Sequence, residues 1–335
     1  MAERIAVLGA GSWGLAVAAL LDRNGADVRL WEFNRPDYEK LVELRCHPDK
    51  LKQLTLADSI DITNDIEYAV EDAAWLVLAV PSQYLRSALA RLSGRDFAGV
   101  RLVNLAKGIE TSTLMRMSEV VTEQLGVDLE AVSTLSGPSH AEEVAADLPT
   151  AVVAAGPSLK LIADVQRIFS DRTFRVYASD DLLGVELGGS LKNIIAIAAG
   201  ITAGLGLGDN TMGALLTRGL AEITRLGVTM GAQPRTFAGL SGVGDLITTC
   251  SSKHSRNRYV GEKIGRGEKL ADILAGMTMV AEGVETARSG HALARKYGVE
   301  MPITNEVYEV LFNNKPPAEA VGDLMGRTLK AEIWQ

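Results

Sequence analysis

Arg4-Ile5-Ala6-Val7-Leu8-Gly9-Ala10-Gly11-Ser12-Trp13-Gly14 joins a short apolar strand, residues 5–8, to a glycine triplet of the form G-x-G-x-x-G that opens a helix. Each glycine has its own physical task. Gly9 permits the tight turn out of the strand, Gly11 leaves the backbone bare so that a pyrophosphate can approach, and Gly14 lets the helix pack closely on the sheet. The unpaired amides of the first helical turn then face the anion. This helix closes at Asn24-Gly25, and a second strand over 28–31 ends in Glu32. That acid stands about 20 residues past the triplet, where a carboxylate can take both hydroxyls of an adenosine ribose. The arrangement favours NAD slightly over NADP. Arg35, shortly after, is a cation able to pair with a 2′-phosphate, so NADP stays open.

Outward from this unit, apolar runs of strand length recur over 75–80, 102–105, 132–135, 151–154 and 174–177, alternating with helix-length segments. Such alternation predicts a doubly wound parallel sheet covered by helices, an α/β Rossmann domain spanning residues 1–179. From Asp180 the pattern changes to helical stretches over 182–199, 211–230, 259–264, 284–297 and 304–312. Residues 180–335 therefore read as an all-α domain, and a cleft between two domains is a common ligand site. The length agrees, because 335 residues exceed what a single core usually holds.

Composition narrows the function. With 34 Lys and Arg against 42 Asp and Glu, the net charge of −8 argues against nucleic acid or an anionic membrane as partner, so an anionic ligand needs a local basic cluster. Cys46 and Cys250 make neither a disulfide framework nor a metal spacing, and His47, His140, His254 and His291 are scattered. No metal site is expected, and a reducing cytoplasm fits. Neither a signal peptide nor a membrane span is expected; the nearest apolar stretch, 194–207, reads as too short and as interrupted by Gly200, Gly204 and Gly206.

Three further clusters carry chemistry. Ala106-Lys107-Gly108 follows a strand, at the sheet edge where ligands of open parallel sheets bind, so Lys107 can meet a cofactor amide, a substrate oxygen or a phosphate. Ser136-Gly137-Pro138-Ser139-His140-Ala141 brings backbone donors to the same edge, with His140 read as a capping or packing residue. In the helical half, Glu186-Leu187-Gly188-Gly189-Ser190-Leu191-Lys192-Asn193 places one lysine in an apolar helix with Gly188, Gly189 and Ala196 on its face. The bare face suits close approach of backbone or ligand, and desolvation would bring the Lys192 pKa toward neutrality, as a proton acceptor requires. A lysine snorkelling to water is the other reading. Asn193 can bond the same ligand or cap a loop. Finally, Gly242-Val243-Gly244-Asp245 precedes Lys253-His254-Ser255-Arg256-Asn257-Arg258, a local basic loop before a helix and a plausible phosphate pocket. Asp245 can orient Lys192, bind a hydroxyl or cap its helix, and Glu282 caps the helix it begins.

In this order the motifs resemble those of the NAD(P)-dependent glycerol-3-phosphate dehydrogenase family of the bacterial, cytoplasmic type, along essentially the whole chain. The resemblance implies a homodimer that interconverts sn-glycerol 3-phosphate and dihydroxyacetone phosphate for glycerophospholipid synthesis. It implies Lys192 as the proton acceptor in the oxidative direction. It maps Ser12, Trp13, Phe33, Lys107, Ala141, Val280 and Glu282 onto cofactor contacts. Lys107, Gly137, Ser139, Asp245, Ser255, Arg256 and Asn257 map onto substrate contacts, with Arg256 shared by both ligands. Some relatives carry His or Arg where this chain has Glu32-Phe33-Asn34-Arg35, so the cofactor preference does not carry over. Two rivals remain: a β-hydroxyacid-type dehydrogenase with a lysine-asparagine helix, and a module that senses NAD(H) without turnover.

Overall fold

The computed structural model describes residues 2–329, 331 and 332; the outer limits of the two expected segments, at Met1 and Gln335, lie outside them. Among the described residues eight strands form one sheet: β1 (Arg4–Leu8), β2 (Asp27–Trp31), β3 (Asp61–Thr63), β4 (Trp75–Leu78), β5 (Arg101–Asn104), β6 (Val132–Ser136), β7 (Thr150–Ala155) and β8 (Phe174–Ser179). Their order is β3-β2-β1-β4-β5-β6-β7-β8, so the first six take the doubly wound order and the chain reverses direction across the sheet between β1 and β4. Residues of β1 alternate between the two faces. Ile5 and Val7 pack with Leu15, Val17 and Leu21 of the helix Ser12–Arg23, whereas Ala6 and Leu8 pack with Leu76 and Leu85 on the other side.

The sheet is mixed rather than wholly parallel, which corrects the expectation. Strand β7 runs antiparallel to β6, and β8 runs parallel to β7. A parallel neighbour needs a crossover that carries the chain back along the sheet, but the link from β6 to β7 holds only the short helix Ala141–Ala145. The edge strand β3 was also not expected; its three residues are too few to show alternation.

The helical half is built round the helix Leu182–Gly204, nearly all of it buried. Gly200 and Gly204 do not interrupt this helix, contrary to expectation. They let the helix Arg256–Gly265 cross at backbone contact: a Cβ on Gly200 would lie 2.0 Å from the Arg258 carbonyl oxygen, and one on Gly261 would lie 2.0 Å from that of Ile197. The core helix is long and apolar enough to cross a membrane by composition, yet 94% of its apolar window is buried inside the protein. At its start the Glu186 carboxylate accepts hydrogen bonds from the Ser118 amide and hydroxyl and pairs with Arg116 at 2.7 Å. These bonds pin the helix to the sheet domain less than two turns before Lys192.

Candidate active site between the two domains

A cleft of about 740 Å³ follows the carboxyl ends of β1, β2, β4 and β5 and is closed by the helical half. Its first wall is the glycine turn. Gly9 sits at φ +108°, where only glycine is unstrained, and a Cβ there would lie 2.9 Å from the Ala79 carbonyl oxygen. A Cβ on Gly14 would lie 1.8 Å from the Gly9 carbonyl oxygen, so Gly14 serves helix packing and does not itself line the cleft. Gly11 differs: a Cβ would meet nothing within 4 Å, because it would project into the cleft. As the N-cap of the helix Ser12–Arg23 it provides no side-chain acceptor, leaving the first-turn amides for an anion. A bare cradle facing free amides fits a dinucleotide pyrophosphate.

Beyond the turn, Phe33 is 68% exposed and Glu32 is 6% exposed, and both line the cleft. Glu32 Oε1 accepts the Asn34 amide at 2.7 Å, and burial pushes its carboxyl pKa up. Arg35 bonds Glu39 at 3.1 Å and is not among the lining residues. Sequence reasoning missed Lys50, Tyr84, Ser87, Ala88 and Arg91, which line this end. Four of them carried a readable signal: 84, 87, 88 and 91 recur at helical spacing and share one face of Ser82–Ala90 and its cap.

At the opposite end three charged side chains from distant parts of the chain meet. Asp245 heads the helix Asp245–Ser251 and is 2% exposed. Its Oδ1 lies 3.0 Å from Lys192 Nζ, and its Oδ2 lies 2.8 Å from Lys107 Nζ. Lys107 also donates to the Gly137 carbonyl oxygen at 2.9 Å, and Lys192 donates to the Thr249 hydroxyl, which in turn donates to Asp245 at 3.2 Å. Burial drives the Lys192 pKa down to about 8, with Asp245 opposing and Lys107 assisting. Burial opposes ionisation of Asp245 too, but the two ammoniums and their hydrogen bonds hold its carboxyl below the usual range. Lys192 is thus a buried amine and not a snorkelling one: it is 5% exposed and lines the cleft.

The bare glycine face beside Lys192 is filled by protein. A Cβ on Gly188 would lie 2.7 Å from the Ser241 carbonyl oxygen of the π-helical turn Leu240–Gly244, and one on Gly189 would lie 2.5 Å from Ser136 Oγ. The glycines therefore bring the Asp245 segment close to Lys192. Thr249, one helical turn after Asp245, escaped sequence reasoning; the spacing was its only sign.

Ser139, Ala141, Asn193, Ser255, Arg256, Asn257, Val280 and Glu282 also line the cleft, while Gly137 does not; its carbonyl holds Lys107 instead. Asn257 donates to Asn193 Oδ1 at 2.8 Å and accepts the Gly283 amide at 2.9 Å, and Asn193 donates to the Lys107 carbonyl oxygen at 3.3 Å. Ser255 caps the helix Arg256–Gly265 through the Arg258 amide. Arg256 reaches the Val280 carbonyl oxygen at 2.8 Å, while Lys253 and Arg258 stand outside the lining. Glu282 does not cap its own helix as expected. Its carboxylate turns to the other domain, accepting the Ser82 amide at 2.9 Å and the Ser82 hydroxyl. His140 lines the cleft with its ring 5.9 Å from that of His254; burial and the Lys192 ammonium push its pKa down.

A doubly wound sheet with a glycine cradle, facing a helical half that contributes a buried lysine, defines a dinucleotide-dependent dehydrogenase. Residues 4–161 match the N-terminal family of NAD-dependent glycerol-3-phosphate dehydrogenase, and residues 181–322 match its C-terminal family. The chain is 53% identical over 335 residues to glycerol-3-phosphate dehydrogenase (NAD(P)+) of Geobacter sulfurreducens, covering 100% of both. It is 52% identical to the enzyme of that name from Prosthecochloris aestuarii, covering 98% of this chain and 99% of that one. The crystal structure of glycerol-3-phosphate dehydrogenase from Coxiella burnetii superposes with a TM-score of 0.93 at 36% identity, covering 97% of this chain and 99% of that one. The chain belongs to the NAD-dependent glycerol-3-phosphate dehydrogenase family.

Proposed function

We propose that this protein interconverts sn-glycerol 3-phosphate and dihydroxyacetone phosphate with NAD(P), and that Lys192 carries the proton. The observation that carries this reading is the buried Lys192–Asp245–Lys107 arrangement facing the same cleft as the glycine cradle. When bound, the nicotinamide supplies or accepts hydride at its C4. In the reductive direction protonated Lys192 polarises the C2 ketone and gives its proton to the oxygen; in the oxidative direction neutral Lys192 removes the hydroxyl proton. A pKa of about 8 leaves both forms accessible near neutrality. Lys107 adds positive charge beside the developing alkoxide, and Asp245 keeps both ammoniums in place.

The distant phosphate is the part of the substrate that does not react, and Arg256, the Ser255 hydroxyl and Asn257 anchor it so that C2 stays aligned. Gly137 and Ser139 shape the substrate side. The segment 1–179 holds the dinucleotide through Gly9, Gly11, Ser12, Trp13, Phe33 and Ala141, with Gly14 packing the helix that presents them, and Val280 and Glu282 reach across from the segment 180–335. Glu32 faces the ribose and favours NAD slightly. The helical half exposes Leu207, Val228 and Ile247, apolar side chains suited to a homodimer interface, and Cys46 and Cys250 are unpaired, as in the cytoplasm. The product serves glycerophospholipid synthesis.

Oxidation of NADH and of NADPH, measured side by side with dihydroxyacetone phosphate and with a 3-keto acid, tests the reading. Turnover with dihydroxyacetone phosphate is expected. Turnover with the keto acid alone would place the chain with the β-hydroxyacid enzymes, and binding without turnover would make it a sensor.

A further inference from the structure

Two cationic side chains of the adenosine end stand outside the account so far. The Arg91 guanidinium, at the C-terminal cap of the helix Ser82–Ala90, lies 5.5 Å from the Trp31 ring and 5.6 Å from the Phe33 ring. It lines the cleft, and among the described residues no carboxylate pairs with it. Lys50 lines the cleft opposite, 3.4 Å from Asp37, and its charge acts on Glu32.

Lys50 is not on a loose loop. The buried His47 ring takes two backbone amides on one nitrogen, those of Asp49 and Lys50, each at 3.1 Å, which fixes the turn that carries the lysine. The other ring nitrogen stands 3.3 Å from Asp37. Aromatic faces hold Arg91 in the same way, since a planar guanidinium stacks on a ring edge or face while keeping its donors free. The result is two positioned cations flanking Glu32 and Phe33, the residues at the end of β2 where the adenosine ribose must lie. An acidic chain has little reason to leave an unpaired arginine there for solubility alone.

We infer that Arg91 and Lys50 together form the seat for the ribose 2′-phosphate of NADP(H), the role that sequence reasoning left to Arg35, and that Arg91 is the residue that lets this chain accept the phosphorylated cofactor despite Glu32. This rests on the dinucleotide reading of the cleft given above. Arg supplies a planar fork to phosphate oxygens, whereas the lysine contributes a point charge already shared with Asp37, so Arg91 carries the larger part.

Calorimetric titration with two fragments that differ only in the 2′-phosphate, 2′,5′-ADP and 5′-AMP, tests the inference without any turnover. The wild-type chain should bind 2′,5′-ADP the more tightly, and the advantage should shrink between low and high salt because Arg91, which carries the larger part, is exposed to solvent. Arg91→Gln, which keeps much of the stem over the rings, should cut that advantage at least tenfold, and Lys50→Ala about threefold. Arg35→Ala should leave the ratio unchanged. Arg91→Lys should restore part of it, since charge returns without the fork. If both fragments bind and Arg91→Gln leaves their ratio as it was, the inference is overturned while the dinucleotide reading stands. If neither fragment binds the wild-type chain, the dinucleotide reading itself falls. Thermal unfolding of each variant confirms that exposed Arg91 and half-buried Lys50 are not needed for folding.

Discussion

The two ends of the cleft are made in opposite ways. The pyrophosphate cradle at the dinucleotide end is backbone from one continuous stretch: Gly9, Gly11 and Gly14 act through what they lack, and the contacts that Gly9 and Gly14 make lie within a few residues or at the end of the neighbouring strand. The chemical end is made of side chains. Lys107, Lys192, Asp245 and Thr249 come from a loop after β5 and two separate helices, and they meet only because the Glu186 anchor and the glycine face at 188 and 189 bring those segments into contact. A backbone cradle tolerates changes around it and fails when filled. A side-chain network is weakened when any charged member is removed, because buried Asp245 loses one of its two ammoniums or both ammoniums lose Asp245.

The largest effect expected from this contrast is at Lys192. Lys192→Ala removes the proton carrier and should lower kcat for dihydroxyacetone phosphate reduction about 10³-fold, within the range for loss of a general acid, while the fold is retained. Near-normal kcat, measured on a variant with native circular dichroism, would remove the catalytic assignment. Next comes Arg256. Arg256→Ala should reduce kcat/KM for dihydroxyacetone phosphate about 10²-fold and change the weak rate with unphosphorylated dihydroxyacetone much less, because the guanidinium is assigned to the phosphate. Equal losses with both substrates would show that Arg256 acts elsewhere.

At the other end two glycines separate filling from packing. Gly11→Val places methyl groups in open space, so Tm should hold while affinity for ADP falls about tenfold. Gly14→Ala puts a methyl 1.8 Å from the Gly9 carbonyl oxygen, so Tm itself should drop. If Gly11→Val bound ADP normally, the cradle would not be where the pyrophosphate lies.

The same contrast explains what could be read from the chain. Ser12–Arg23 and the strands on either side of it were legible because the glycine triplet, the apolar runs and the terminal acid are local signals. Lys192 was legible as one charge in an apolar helix. Thr249 and the turn of Glu282 toward Ser82 were not, because each depends on contact between segments far apart in sequence. The reversal at β7 was hidden for a related reason: strand direction is set by how the connecting chain returns, and the apolar run over 151–154 looks the same either way. The glycines at 188 and 189 were recognised as a sign of close approach, but whether ligand or backbone approaches is a tertiary fact.

Smaller still is the effect of pH. Burial lowers the Lys192 pKa to about 8, so the ammonium needed to protonate the ketone is present below that pH and lost above it. The kcat/KM for dihydroxyacetone phosphate should therefore fall as pH rises through about 8, and that for glycerol 3-phosphate oxidation should rise over the same window. Asp245→Asn removes the carboxylate that raises this pKa, so the limb should move to lower pH in whatever activity survives. A limb that moved upward, or did not move, would assign the titration to another group.

The smallest expected change lies at Glu32, where the two ends of the cleft differ most in how much depends on a single charge. The carboxylate is half engaged already, with Oε1 on the Asn34 amide, and the neighbouring Lys50 offsets part of its field. Glu32→Gln should therefore raise the NADPH to NADH ratio of kcat/KM only about threefold, by removing repulsion toward a 2′-phosphate while keeping the amide contact. Glu32 and Arg91 act on the same phosphate with opposite sign, so in the double variant the two effects should fall short of additivity, as they do for groups that share a partner. Strict additivity of Glu32→Gln and Arg91→Gln would mean that the carboxylate and the guanidinium address different parts of the nucleotide, and that Glu32 acts on the ribose hydroxyls alone.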